Sequence, residues 1–156
     1  MGSRVVASGL PLSPTAGWAD EYAPFVTNSE PQGEIADTTD EWIRAVRRQI
    51  KQGVDNVKIG ISGSSLNPYS RGDTVDMTEA DIATVVDVAH RGRVRVAAHC
   101  DPAAGLRAAI RAGVDTIHHG KGMDDECREL LRQSECFYVP TVMKYQALVD
   151  DGARYG

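Results

Sequence analysis

The stretch LRAAIRAGVDTIHHG, residues 106–120, contains three structural signals in succession. Its first half has the apolar spacing of an amphipathic helix, and Gly113 stands where such a helix would end in a left-handed turn. Val114, Thr116 and Ile117 then form a β-branched run, which favours a strand. The stretch therefore predicts a helix, a tight turn and a strand that ends at two histidines.

The same order recurs elsewhere in the chain. The stretch VRRQIKQGVDNV (46–57) matches it closely, VVDVAHRGRVRVAAH (85–99) is a looser version, and LLRQSECFYVP (130–140) has Ser134 in the place of the glycine. A repeated unit of helix, turn and strand is typical of stacked αβ units. The sequence therefore predicts an α/β fold.

The repeats and their flanking residues define five strands and four intervening helices in strict alternation. We expect strands at 4–8, 56–61, 95–99, 116–119 and 137–139, helices at 39–52, 79–91, 103–112 and 124–133, and a further helix in the tail. Strict alternation implies a parallel sheet, either doubly wound or closed as a barrel. Long loops, 9–37 and 62–77, follow the first two strands, and ligands of such folds bind at the carboxyl ends of the strands.

Composition narrows the class of partner. The net charge of -5 and the pI of about 5.3 argue against nucleic acid or an anionic membrane. No apolar run approaches the roughly 20 residues of a membrane span, and the first residues lack the apolar segment of a signal peptide. Cys100, Cys127 and Cys136 are an odd number without C-x-x-C spacing. This pattern favours reduced thiols and a cytoplasmic protein.

Four residues at or near the carboxyl ends of the predicted strands are candidates for chemistry. Lys58 lies in the apolar run VKIGI, where burial would lower its pKa and make it a nucleophile or a modification site; the alternative is a lysine that extends to solvent. His99 and one histidine of the pair His118–His119 end neighbouring strands and could share a metal ion. Because side chains alternate along a strand, we expect only one of that pair to reach the site.

These residues occur in an order that resembles the amidohydrolase superfamily, in particular its imidazolonepropionase-like and Xaa-Pro-dipeptidase-like branch. The matching pieces are RVVASGLPLSPTAG (4–17), QGVDNVKIGISGS (52–64), RVAAHCDPAAGLRAAIRAGVDTIHHG (95–120) and FYVPTV (137–142). The resemblance implies a (β/α)8 TIM barrel with up to two divalent metal ions, which we expect to be zinc. It implies that Lys58 is carboxylated by CO2 and bridges the metals, that His99 and His119 are metal ligands, and that His118 and Tyr145 contact substrate.

The sequence departs from the family pattern in several places. It has neither the H-x-H pair of the first strand nor the metal-binding aspartate of the last strand, so we expect one partial domain, 1–156, that corresponds to about strands three to seven. Asp101 stands where many members have a second histidine, and Trp18 stands where a histidine is common.

The sequence supports three hypotheses. The first is the central part of a metal-dependent amidohydrolase that cleaves a C–N bond (amide, peptide, lactam or carbamate) in a small or dipeptide-like molecule, and that is inactive as this chain alone. The second is a non-catalytic half-barrel that self-associates as a homo-oligomer through its unpaired edges. The third is a small doubly wound binding module, with ISGSS (61–65) as its phosphate loop.

Overall fold

A computed structural model describes residues 2–20, 32–64 and 71–155, with side chains as far as residue 152. The elements in chain order are β1 (Leu12–Ser13), β2 (Glu34–Ile35), α1 (Thr39–Gln52), β3 (Asn56–Gly60), α2 (Glu79–Arg91), β4 (Arg95–Cys100), α3 (Ala103–Ala112), β5 (Thr116–His119), α4 (Asp125–Gln133), β6 (Phe137–Val139) and α5 (Val142–Tyr155). The strands form one parallel sheet in the order β2-β1-β3-β4-β5-β6.

The helices begin and end where the sequence provides caps. Thr38 and Thr78 each form a reciprocal capping box, with Glu41 and Asp81 respectively, at the starts of α1 and α2. The helices α1 and α3 end at glycines in the left-handed region, with φ of 79° at residue 53 and 85° at residue 113. The four helices predicted with bounds are present, three of them with the predicted bounds and α4 one residue shorter.

Two of the repeated turns differ in geometry from those at Gly53 and Gly113. Gly92 has a φ of −81°, and the left-handed residue after α2 is Arg93 at 59°. Ser134 also lies outside the left-handed region, at −105°. These turns therefore reverse the chain with different backbone geometry from the glycine turns after α1 and α3.

The first strand of the sheet is not where the sequence placed it. Residues 4–8 form no strand and make a single bridge, from Ser8 to Asn56. Val5 and Val6, which suggested a buried strand, are exposed. The edge of the sheet is instead formed by β1 and β2, two short strands inside the predicted loop 9–37. Residues 21–31 of that loop and 65–70 of the loop 62–77 lie outside the described residues.

The helices pack together on one face of the sheet. Contacts join α1 to α2, α2 to α3 and α3 to α4 in sequence order. The main hydrophobic core lies between these helices and the strands, and its fully buried strand residues include Val57, Ile59, Val96, Ala98 and Ile117. Consecutive strands β3 to β6 lie side by side with no reversal of order, which is the arrangement of a (β/α)8 barrel wall rather than of a doubly wound sheet. The fold is a partial TIM barrel.

No helix in the described part of the chain combines the length and the hydrophobicity that crossing a bilayer requires.

Candidate active site

The sheet register brings Lys58, His99 and His118 to one face. Lys58 pairs with Ala97 and His99 pairs with His118, so these side chains point away from the helix-covered face. The Nζ atom of Lys58 lies 2.8 Å from Nδ1 of His118. The lysine side chain therefore contacts His118 directly.

His119 reaches the same site, although strand alternation predicts otherwise. Its φ is 77°, so the backbone turns at the end of β5. The His119 side chain therefore no longer follows the alternation of side chains between the two faces of the sheet. The centroid of its ring lies 4.8 Å from that of His99 and 6.3 Å from that of His118. The expectation that only one histidine of the pair reaches the site is wrong, because a left-handed residue ends the strand.

His99 lies in the most enclosed position of the site, with 1% of its surface exposed. The indole of Trp18 stacks on its ring, with centroids 4.8 Å apart and planes 13° apart. The Nε2 atom lies 3.1 Å from the carbonyl oxygen of Gly63, and a carbonyl can only accept, so Nε2 carries the proton. Nδ1 of the neutral ring then carries a lone pair, and it is buried with no hydrogen-bond partner among the residues that the structure describes.

Burial sets the charge state of the site. It is the largest cause of a pKa of about 4 for His99, His118 and His119, and the positive charge of Lys58 lowers the pKa of each further. Burial also lowers the pKa of Lys58 to about 8. The three imidazoles are therefore neutral at pH 7, with lone pairs that can bind an electrophile or a metal ion.

Tyr145, a predicted substrate contact, lies at the rim of this cluster. Its hydroxyl donates to Oδ1 of the buried Asp101 at 3.1 Å, and its ring centroid is 6.5 Å from that of His119. Burial and the charge of Asp101 raise the pKa of the Tyr145 phenol to about 12. The hydroxyl is therefore protonated and already engaged with a carboxylate.

Two residues in the site were not assigned a role from the sequence. Trp18 covers His99 and lies with its ring centroid 5.7 Å from Nζ of Lys58. The sequence feature that matches the position of Trp18 is Gly60. A Cβ added at residue 60 would lie 2.7 Å from Cβ of Trp18, so β3 needs a residue without a side chain there. Thr141, whose Oγ1 lies 2.7 Å from Nδ1 of His119, had no sequence signal.

The donor set partly fits a divalent metal ion. Within residues 2–20, 32–64 and 71–155, no three histidine, cysteine, aspartate or glutamate side chains are grouped so that they could hold one metal. The site does offer two imidazoles in contact, one with an orphaned buried Nδ1, together with an amine held 2.8 Å from a third imidazole. Neutral imidazoles that donate their other N–H to the protein are the usual state of metal-binding histidines.

Comparisons with known proteins concern the fold and the family of the chain. No family model matches the chain. The ochratoxinase of Aspergillus niger is 33% identical over an alignment of 156 positions that covers 90% of this chain and 32% of the enzyme. A prolidase solved with N-methylphosphonate-L-proline superimposes with a TM-score of 0.87 at 31% identity, over 100% of this chain and 40% of that one. A Xaa-Pro dipeptidase with methionine in its active site gives 0.88 at 31% identity, over 97% and 38%.

The chain has the fold of part of a TIM barrel, and the similar proteins named above are hydrolases. The chain belongs to the amidohydrolase superfamily, as the sequence resemblance indicated. It spans about a third of the length of the curated relatives that it matches.

Proposed function

We propose that this chain supplies the central part of the active site of a metal-dependent amidohydrolase that hydrolyses a C–N bond. The observation that carries the proposal is the convergence of Lys58, in the middle of β3, with His99 and His119 near the carboxyl ends of β4 and β5, the two imidazole rings lying 4.8 Å apart. Such strand ends are where TIM-barrel enzymes hold their catalytic groups.

In this proposal each residue has a distinct task. His99 and His119 would hold a divalent metal ion through Nδ1 and Nε2 respectively, and Lys58, carboxylated by CO2, would be the ligand shared with a second ion. Such an ion, zinc in our proposal, polarises a carbonyl group and lowers the pKa of water. His118 orients Lys58 through its 2.8 Å contact and, with Tyr145, borders the substrate.

The substrate class follows from the relatives. A prolidase, a Xaa-Pro dipeptidase and an ochratoxinase are all among the similar proteins, which supports a small or dipeptide-like substrate with an amide bond. Hydrolysis adds water across that bond and releases a carboxylic acid and an amine. Because Cys100, Cys127 and Cys136 are all free thiols, we also propose a reducing, cytoplasmic location.

Carboxylation of Lys58 tests this function on the chain itself. The chain is incubated with 13C-bicarbonate and zinc, and a lysine carbamate is sought by 13C NMR together with the bound zinc content. We expect a carbamate signal that Lys58→Ala abolishes and that Lys51→Ala, at an exposed lysine of α1, leaves unchanged. An equal signal in the Lys58→Ala variant would contradict the proposal.

The isolated chain has fewer metal ligands than the complete site that we propose. The described residues offer only two imidazoles and one lysine as metal ligands, so we propose that the isolated chain does not hydrolyse amides. An assay with N-acyl-proline and dipeptide substrates tests this directly. Robust turnover by a monomer would contradict it.

A second candidate, a non-catalytic half-barrel that self-associates, is favoured by one feature. The edge strand β6 is exposed along its whole length, with Phe137, Tyr138 and Val139 all accessible to solvent. An unpaired apolar edge favours pairing with another chain.

A further inference from the structure

We propose that Thr141 is a positioning residue that sets the tautomer and direction of the His119 ring, and that Tyr138 holds the backbone turn from which this ring projects. The inference rests on the proposed function only in treating His119 as a metal ligand. It concerns Tyr138 in β6 and Thr141 in the turn after β6. Both lie beside the site and neither is a proposed metal ligand.

The backbone at the contact is unusual on both sides. His119 has a φ of 77° and Thr141 has a φ of 49°, and both lie in the left-handed region. A β-branched residue there is a genuine outlier, and such conformations persist where the surrounding structure enforces them. The two strained residues meet directly, because Oγ1 of Thr141 lies 2.7 Å from Nδ1 of His119.

A second contact from the same strand fixes the backbone of His119. The Tyr138 hydroxyl donates to the carbonyl oxygen of His119 at 2.7 Å. Strand pairing places Tyr138 opposite Ile117, so this bond reaches two residues along β5 to the turn. One contact holds the carbonyl and the other holds the imidazole, and together they define the direction of the ring.

The chemical consequence is a choice of tautomer. If Nδ1–H donates to Oγ1 of Thr141, then Nε2 carries the lone pair. His99 has the complementary arrangement, since its Nε2–H donates to Gly63 and leaves Nδ1 bare. With Nδ1–H of His119 as the donor, which is the direction we propose, each imidazole has one nitrogen bonded to a protein oxygen and one available to a metal, the pattern of outer contacts that orient metal-binding histidines.

The tautomer is measured on the metal-free chain by long-range 1H–15N NMR of the imidazoles at pH 7. We expect protonated Nδ1 at His119 in the wild type and in Thr141→Ser, which keeps the hydroxyl. In Thr141→Val, which keeps the β-branched shape and loses the hydroxyl, we expect protonated Nε2 to dominate. His119→Ala assigns the signals, and far-UV circular dichroism checks that each variant is folded. Bare Nδ1 in the wild type, or no change in Thr141→Val, would overturn the inference.

Zinc affinity provides the second measurement. Outer contacts of this kind change metal affinity by about 10–100-fold, so we expect that loss in Thr141→Val and a change of less than about threefold in Thr141→Ser. If His119→Ala loses zinc while Thr141→Val retains wild-type affinity, the positioning role fails and the ligand role stands. If the wild type binds no zinc, the proposed function fails, and the tautomer measurement still decides the role of Thr141.

Discussion

Lys58 is the residue at which stability and function conflict most clearly. Its ammonium group is largely removed from water, and its nitrogen lies 2.8 Å from Nδ1 of the neutral His118 imidazole. Burial lowers the pKa of this amine to about 8. A group of this kind destabilises the folded chain whenever it is charged.

Replacing Lys58 with Met should therefore stabilise the metal-free chain at pH 7. Each unit of pKa shift corresponds to about 1.4 kcal/mol, and partial solvent access reduces the gain to about 1–2 kcal/mol. Because the folded pKa of about 8 is below the unfolded value of 10.5, the gain should shrink as pH rises from 8 to 10.5. Urea denaturation measures it, with Lys51→Met as the exposed control. A loss of stability in Lys58→Met would contradict this account.

The buried histidines predict how stability depends on pH. Burial lowers the folded pKa of His99, His118 and His119 from 6.5 to about 4. The unfolded chain therefore binds protons first, and their contribution to stability, complete above pH 6.5, is lost as pH falls toward 4. Each histidine contributes a slope of up to about 1.4 kcal/mol per pH unit.

Denaturant titrations of the metal-free chain at pH 7, 6 and 5 measure this dependence. The variant His118→Asn removes one of the three groups, so its free energy of unfolding should fall less steeply with pH. Equal slopes in the variant and the wild type would mean that His118 is not held neutral by burial.

At the scale of elements, helix ends were the most predictable feature. The bounds of α1, α2 and α3 agree with expectation because local signals define them: threonine caps, a proline before α3, and glycines 53 and 113. The local sequence defines the positions of strands less clearly than it defines the ends of helices. The run at Val5 and Val6 has β-branched residues but is exposed, while β1 and β2 are two-residue strands that only tertiary contacts define.

The turn after α1 gives a prediction at this scale. Gly53 has a φ of 79°, and an added Cβ would meet no atom within 4 Å, so only backbone strain opposes a side chain there. Gly53→Ala should lower the free energy of unfolding by about 1–2 kcal/mol. Gly53→Asn, which tolerates the left-handed region better, should cost less. Thermal unfolding of the two variants compares them, and equal stability of Gly53→Ala and wild type would contradict the assignment of the turn.

The candidate site was predictable as a location and less so in its contacts. Parallel strand order alone brings Lys58, His99 and the histidine pair to one end of the sheet. The left-handed turn at His119 was not predictable, because the residues that contact it, Tyr138 on the next strand and Thr141 in the turn after that strand, lie far along the chain. Trp18 approaches from a long loop, whose path depends on the whole fold.

At the scale of the whole molecule, the sheet is open. Its terminal strands are β2 and β6, and large apolar side chains near β6 are exposed: Phe137 at 67%, Val142 at 61%, Met143 at 78% and Val149 at 80%. Parallel sheets are normally covered on both faces and closed or protected at their edges. We therefore expect the isolated chain to self-associate.

Sedimentation velocity across a range of chain concentrations tests this expectation. A charge on the edge strand should block pairing, so Phe137→Lys should shift the population toward monomer. Val5→Lys is the matched control, since Val5 is 76% exposed and lies outside the sheet. A wild-type chain that stays monomeric at all concentrations would contradict the expectation.

We propose above all that His99 and His119 share one metal ion beside Lys58. Anomalous diffraction at the zinc edge, from crystals of the chain grown with zinc, tests it most directly. We expect a peak about 2.0–2.1 Å from a nitrogen of each ring, on the side toward Lys58. Ordered zinc bound elsewhere, for example at His90 and Asp115, with the rings of His99 and His119 unliganded, would contradict it.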